Sequence, residues 1–307
     1  MWMAAPGEET PVWIQFEFEK VFKLYELKVW NYNVMFEPVL GFGLKDVTIE
    51  YSIDGAEWTV LTDTEFAKAT ATDNYVANTV VDLAGVAAKF VRFTINSGHG
   101  VMGQYGLSEV RFTYTPAQAR EPQPADGATD VDPDTVLSWR AGREATTHEV
   151  YFGTDAENLT LADSVTAASF SPGALDFGTT YYWRIDEAGA ELWAGELWSF
   201  STQEYALVDG FEDYTDDIEA GEAIFDTWVD GWVNQTGATV GYINAPFAER
   251  TIVHGGKQSM PLQYDNSGSP FYSETTRVFD AAQDWSGNGS NTLVLYFQGV
   301  PGPFMEL

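Results

Sequence analysis

Apolar and polar residues alternate with a period of two over much of this chain. Ile14, Phe16 and Phe18 alternate with Gln15, Glu17 and Glu19, and Val47, Ile49 and Tyr51 with Thr48, Glu50 and Ser52. Val91, Phe93 and Ile95 alternate with Arg92, Thr94 and Asn96, and Val110, Phe112 and Tyr114 follow a glycine-rich loop. Successive side chains of a strand point to opposite faces, so the pattern predicts strands with one face on a core and one in water. Turn residues interrupt it roughly every ten positions, the spacing of sandwiches and barrels. Asp54-Gly55 supplies a hairpin turn between two such runs. The one weak helix candidate is 216–225. The expected fold class is therefore all-β, as three tandem antiparallel β-sandwiches.

Changes in composition divide the chain. Residues 1–115 read as one sandwich. Over 116–133, Pro116, Pro122, Pro124, Gly127 and Pro133 stand among small polar residues, which reads as a linker region and the start of the next domain. Strands expected at 136–140, 147–153, 180–186 and 198–202 make 134–203 a second, smaller sandwich. The block 204–307 opens on an acidic stretch, and strands are expected at 227–233, 239–243 and 292–299.

Charge and composition narrow the function. The 307 residues include 15 Lys plus Arg against 46 Asp plus Glu, a formal charge of −31. A nucleic acid or an anionic membrane would be repelled over most of such a surface. With no cysteine there is no disulfide, thiolate metal site or cysteine nucleophile. Three histidines far apart in sequence, His99, His148 and His254, do not suggest a poly-histidine metal centre or a Ser-His-Asp triad. His148, between Thr147 and Glu149, reads as a surface residue. No apolar run is long enough for a helical membrane span, and Met1 to Pro6 carry neither a basic nor an apolar signal region.

Specific stretches resemble known families. Val12-Trp13-Ile14-Gln15-Phe16-Glu17-Phe18, Leu27-Lys28-Val29-Trp30-Asn31-Tyr32-Asn33, the run from Val47 to Trp58, Lys89 to Ile95, and Gly106-Leu107-Ser108-Glu109-Val110-Arg111-Phe112 together resemble discoidin-type domains, also called coagulation-factor C-terminal type. That group includes the family 32 carbohydrate-binding modules. The family's first strand and Asp-Gly loop would precede Trp2, so the resemblance implies an internal start, which would also account for the missing signal region. Leu175, Gly178, Thr179, Tyr181, Trp183 and Ile185, with Trp139 as the buried tryptophan of an early strand, resemble a fibronectin type III domain, a common extracellular spacer. Val208-Asp209-Gly210-Phe211-Glu212-Asp213-Tyr214 resembles the opening of a jelly-roll lectin or carbohydrate-binding module, here truncated at its C-terminus. The three-block order resembles non-catalytic portions of secreted proteins of marine or planctomycete-like bacteria.

Candidate chemistry follows from these positions. Leu27 and Val29 share one strand face, which puts Trp30 on the other, where an indole can stack on a pyranose ring while Asn31 and Asn33 donate and accept hydrogen bonds. The loop 97–106 adds His99, Gln104 and Tyr105. A Trp30 covered by its neighbours and a solvated His99 are the plainer alternatives. The discoidin resemblance implies that Glu109 is a ligand of a structural calcium, and the jelly-roll resemblance points to Asp209 and Glu212 as calcium ligands. Calcium requires about six to eight oxygens, and the acidic stretch is also readable as ordinary solvated surface.

The leading expectation is an extracellular, monomeric, non-catalytic module that binds a polysaccharide or cell-surface glycan, without nucleic acid or membrane insertion. The alternatives are a glycan-active hydrolase or lyase with paired carboxylates in the acidic third block, and a purely structural cell-surface protein.

Overall fold

The computed structural model of the protein describes residues 1–4 and 11–299, and it is nearly all β. No helix is long and apolar enough to cross a membrane among the described residues. The chain divides into two compact units, one of residues 1–128, 136–172 and 181–200, the other of 129–135, 173–180 and 201–307.

In the first unit, residues 1–115 form a seven-stranded antiparallel sheet folded on itself. Its strands are β1 (Trp2–Ala4), β2 (Val12–Asn31), β3 (Asp46–Ser52), β4 (Thr59–Glu65), β5 (Thr79–Asp82), β6 (Ala87–Ile95) and β7 (Tyr105–Thr115), in the order β1-β7-β2-β6-β3-β4 with β5 also on β2. One short helix, α1 (Glu37–Leu40), lies between β2 and β3. The fold is possible because β2 serves two neighbours. Its first part pairs with β6, from Val12 opposite Ile95 to Glu17 opposite Phe90, and its second part pairs with β7, from Lys23 opposite Thr115 to Asn31 opposite Leu107.

A bulge between Leu24 and Glu26 shifts the alternation of β2 by one residue. Ahead of it Ile14, Phe16, Phe18, Phe22 and Leu24 face inward; beyond it Leu27, Val29 and Asn31 do. Between the faces lie Leu24, Leu27, Val29, Leu44, Ile49, Phe66, Leu83 and Phe93, with Phe16, Phe93 and Phe112 in mutual ring contact. The Asp54-Gly55 turn forms as expected: the Asp54 carboxylate accepts from the Ala56 and Glu57 amides, and Gly55 holds a positive φ of 79°.

Residues 116–133, expected to be a linker, contain two strands, β8 (Arg120–Gln123) and β9 (Ala128–Val131). Pro122 is accommodated because β8 is an edge strand, where a missing N–H costs little, and Pro124 follows its end. The second sandwich adds β10 (Leu137–Arg140), β11 (Thr147–Gly153), β12 (Thr160–Val165), β13 (Ser169–Phe170), β14 (Thr180–Ala188), β15 (Leu192–Trp193) and β16 (Trp198–Thr202). One sheet runs β13-β10-β8; the other runs β12-β11-β14-β16-β9 with β15 on β14. Leu137, Trp139, Val150, Trp183, Ile185, Trp198 and Phe200 are buried.

His148 is not a surface residue. It sits directly opposite Glu187 across β11 and β14, both side chains are buried, and Nδ1 of His148 meets the Glu187 carboxylate. Glu187 also accepts from the Gly142 amide at 2.9 Å, and the Trp139 ring stands edge-on to the imidazole. The alternation that buries Val150 buries His148 two residues earlier, and the facing carboxylate is what permits it there.

The second unit is built on a smaller scale. Its third-block elements are α2 (Ile224–Thr227), β17 (Trp228–Val229), α3 (Gly231–Asn234), β18 (Ala238–Val240), β19 (Leu262–Tyr264) and β20 (Thr276–Arg277), and they form two two-stranded sheets, β17-β20 and β18-β19. Ala223, Ile224, Val240 and Phe247 make its buried apolar cluster. The helix expected over 216–225 is reduced to α2, and no strand forms over 292–299, where Leu293 to Phe297 are exposed.

Candidate functional site

At one end of the first sandwich three loops meet: 32–43 after β2, 66–78 after β4, and 96–104 after β6. Three kinds of buried contact knit them together. Asn31, fully buried at the end of β2, donates from Nδ2 to the carbonyls of Leu44 at 2.7 Å and Ala67 at 3.0 Å, and its Oδ1 accepts from the Tyr32 and Leu44 amides. Glu37, also fully buried at the start of α1, turns its carboxylate back to the amides of Phe42 at 3.0 Å and Gly43 at 2.9 Å. Tyr75 accepts from the Asn31 amide and donates to Asn78, whose own amide donates to the Lys68 carbonyl.

A further contact is steric. A Cβ on Gly100 would stand 1.9 Å from the Leu40 carbonyl oxygen, and one on Gly41, whose φ is 65°, would stand 2.6 Å from the Gly100 nitrogen. Only paired glycines let these two loops touch backbone to backbone. His99 completes the seam: its amide donates to the Gly43 carbonyl, and its Nε2 meets the Phe66 carbonyl at 2.8 Å. The resulting loop pole is a frame held by hydrogen bonds among its own residues.

The candidate ligand residues divide into two groups on this frame. Asn31 is corrected: it shares the inward face with Leu27 and Val29, so its amide is a structural clasp that reaches no solvent. Trp30 does lie on the outward face, but it is not an open platform. The Arg111 guanidinium stands over its ring, 4.9 Å from the centroid, held there by Glu109 at 2.6 Å. Tyr105 packs partly against the core beside Gly98, and Gln104 donates to the Met3 sulfur. Asn33 and His99 remain partly exposed at the pole. Asn33 donates to the Thr72 carbonyl at 2.9 Å and to Ser108 Oγ through its backbone amide at 3.0 Å, while its Oδ1 has no hydrogen-bond partner.

Sequence reasoning did not single out the pole's exposed apolar rim. Phe36 is 62% exposed, with Met35 and Val39 beside it on the α1 loop and Val101 and Met102 on the opposing loop. The available signal is the interruption of alternation: Met35, Phe36 and Val39 belong to no strand period and flank Pro38, where a loop or short helix is expected.

The three residues expected to bind calcium are each engaged by protein groups. Glu109 is engaged by Arg111. Asp209 accepts from the Phe211 amide at 2.8 Å, the Tyr214 hydroxyl at 2.6 Å and Trp228 Nε1 at 2.8 Å, and is ion-paired with Arg277. Glu212 accepts from the Lys257 and Gln258 amides. Among the described residues no group of three or more His, Cys, Asp or Glu is gathered within reach of one ion. The acidic run is largely used in turns: Asp216 accepts from the Phe247 amide and Arg250, Asp217 from the Ala220 amide, and Glu222 from the Thr215 hydroxyl.

Burial and the Asp209 carboxylate push the Tyr214 hydroxyl up to about 12, because both disfavour a second negative charge there. The Arg92 guanidinium beside Glu50 holds that carboxyl below its usual range, on the outer face of the first sandwich, where Arg92 also lies over the Trp58 ring.

Residues 1–110 match the family described as F5/8 type C domain. Among solved structures, the chain is similar to a beta-1,2-glucanase from Parabacteroides distasonis, at 11% identity and a TM-score of 0.24, covering 62% of this chain and 29% of that one. It is also similar to the glycoside hydrolase domain of Endo-D from Streptococcus pneumoniae, at 13% identity and a TM-score of 0.22, covering 64% of this chain and 34% of that one. The chain thus spans about a third of the length of these two structures. No curated protein matches it.

Proposed function

We propose that the first sandwich is an extracellular glycan-binding module whose contact surface is the loop pole. The match of residues 1–110 to the F5/8 type C domain supports a binding module, in agreement with the discoidin resemblance. The observation that carries the choice of surface is the pole itself: a hydrogen-bonded frame bearing an exposed aromatic, Phe36, with the partly exposed Asn33 and the imidazole of His99 on the same loops. A ring with C–H groups on one face and hydroxyls on its rim suits an aromatic beside a few fixed polar groups. Trp30 contributes only where a ligand displaces Arg111 from its face. The second sandwich serves as a fibronectin type III-like spacer in this reading.

A glycan array followed by affinity electrophoresis on the retaining polysaccharide tests the proposal. Phe36→Ser is expected to weaken retention by about 1 to 3 kcal/mol, while Trp30→Ala has a smaller effect. Equal retention by Phe36→Ser and the parent, or no retention by any glycan, rejects the loop pole as the site.

A further inference from the structure

We infer that the first and second sandwiches are clamped into one rigid body at the bend of β2, so that the loop pole is held at a fixed orientation at the far end of that strand. The connector is the first ground for this. β7 ends at Thr115 and β8 begins at Arg120, leaving only Pro116, Ala117, Gln118 and Ala119 between the sandwiches. Ala117 and Ala119 are buried rather than solvated. Pro116 accepts from the Arg143 amide at 2.8 Å, and Gln118 Nε2 donates to the Ala194 carbonyl at 2.8 Å. Gly142 lies so close that a Cβ there would stand 2.0 Å from the Ala117 oxygen. A flexible tether has none of these contacts, since its groups are solvated and its ends are free.

Charge placement is the second ground. Three carboxylates of the second sandwich, Glu144, Glu191 and Glu196, face lysines at the bend where β2 passes from β6 to β7. Lys23, with its side chain only 15% exposed, meets Glu144 and lies 3.7 Å from Glu191, and Lys20 meets Glu196. In a chain with 15 cationic residues and a charge of −31, two of the scarce lysines sit where three acids of the neighbouring sandwich converge. Each pair alone is partly exposed and weak; together with the buried connector they leave no free hinge. From Lys23, near the middle of β2, to Asn31 at its end the strand runs eight residues, about 26 Å at strand rise, so the junction and the loop pole are well separated along one strand. The clamp does not depend on what the pole binds.

The absence of cysteine makes the test direct. Spin labels on Glu57→Cys in the first sandwich and Ala162→Cys in the second, both exposed positions of the full chain, report the distance between the sandwiches by pulsed dipolar spectroscopy. A single narrow distribution is expected for the parent. Lys20→Glu with Lys23→Glu, which places like charges at the junction, is expected to widen it about twofold, and adding Glu144→Lys with Glu196→Lys is expected to narrow it again. A broad parent distribution overturns the rigid body. A charge-reversed variant as narrow as its parent overturns the lysine clamp.

Discussion

The first sandwich and the third block solve the problem of holding a chain together in opposite ways. The first sandwich carries its stability in an apolar layer running from Leu24 to Leu107, and its fully buried polar side chains Asn31 and Glu37 fix loops. The third block has a buried apolar cluster of Ala223, Ile224, Val240 and Phe247 and short two-stranded sheets. There polar side chains carry connections that packing does not: Asp209 joins Tyr214, Trp228 and Arg277; Asp230 accepts from the Trp232 and Val240 amides; and Gln258 donates to the carbonyls of Phe211 and Tyr214. A small core makes a region depend on a few partly buried charges, and such charges are costly to leave unpaired.

The sharpest way to break this comparison is Asp209→Ala. It strands the Arg277 guanidinium and removes the acceptor of two aromatic donors, so a loss of about 3 to 5 kcal/mol is expected. In calorimetry of the full chain, an early transition should separate while the main transition stays in place; one joint shift would mean that the two regions share their stability. Asn31→Ala is the corresponding change in the first sandwich. It leaves two amides and two carbonyls without partners, for an expected cost of about 2 to 3 kcal/mol. Hydrogen exchange should rise at the Tyr32 and Leu44 amides, which lose the Asn31 acceptor, while core strands such as β3 stay protected.

Alkaline pH gives a smaller effect confined to the third block. The Tyr214 hydroxyl titrates near 10 when unfolded and at about 12 when folded. The stability it contributes is complete below pH 10 and is lost as pH rises towards 12. Fluorescence of the region containing Trp228 should therefore report loosening over that window, and Tyr214→Phe should remove that part of the pH dependence. Least is expected of Phe36→Ser on folding, within about 0.5 kcal/mol because the ring is exposed. The same variant should lose glycan retention, which separates a binding residue from a structural one in a single protein.

Much of the first sandwich is legible as alternation. The runs at 47–51, 91–95 and 110–114 all become strands with the expected faces, and Asp54-Gly55 forms its turn. The same logic places Asn31 and His148 inside, since each shares a face with buried apolar neighbours; a polar residue on an apolar face marks a buried hydrogen-bond hub. The residues 116–133 were harder because proline and small polar residues suit both linkers and edge strands, and the difference lies in a partner strand, β10 for β8. Over 292–299 the reverse holds: a continuous apolar run from Leu293 to Phe297, yet no pairing strand among the described residues.

The sequence by itself determined the all-β class, the faces of the main strands of the first sandwich, the scarcity of cations and the absence of cysteine, because these follow from local periodicity and composition. Only the tertiary structure decided that Arg111 covers Trp30, that Glu187 receives His148, that Glu37 closes its own loop, and that Asp209 answers Arg277. Those outcomes depend on which strand lies beside which. A pairing between distant residues leaves no period in the chain, and whether a polar side chain is free to meet a ligand depends on whether such a pairing has already taken it.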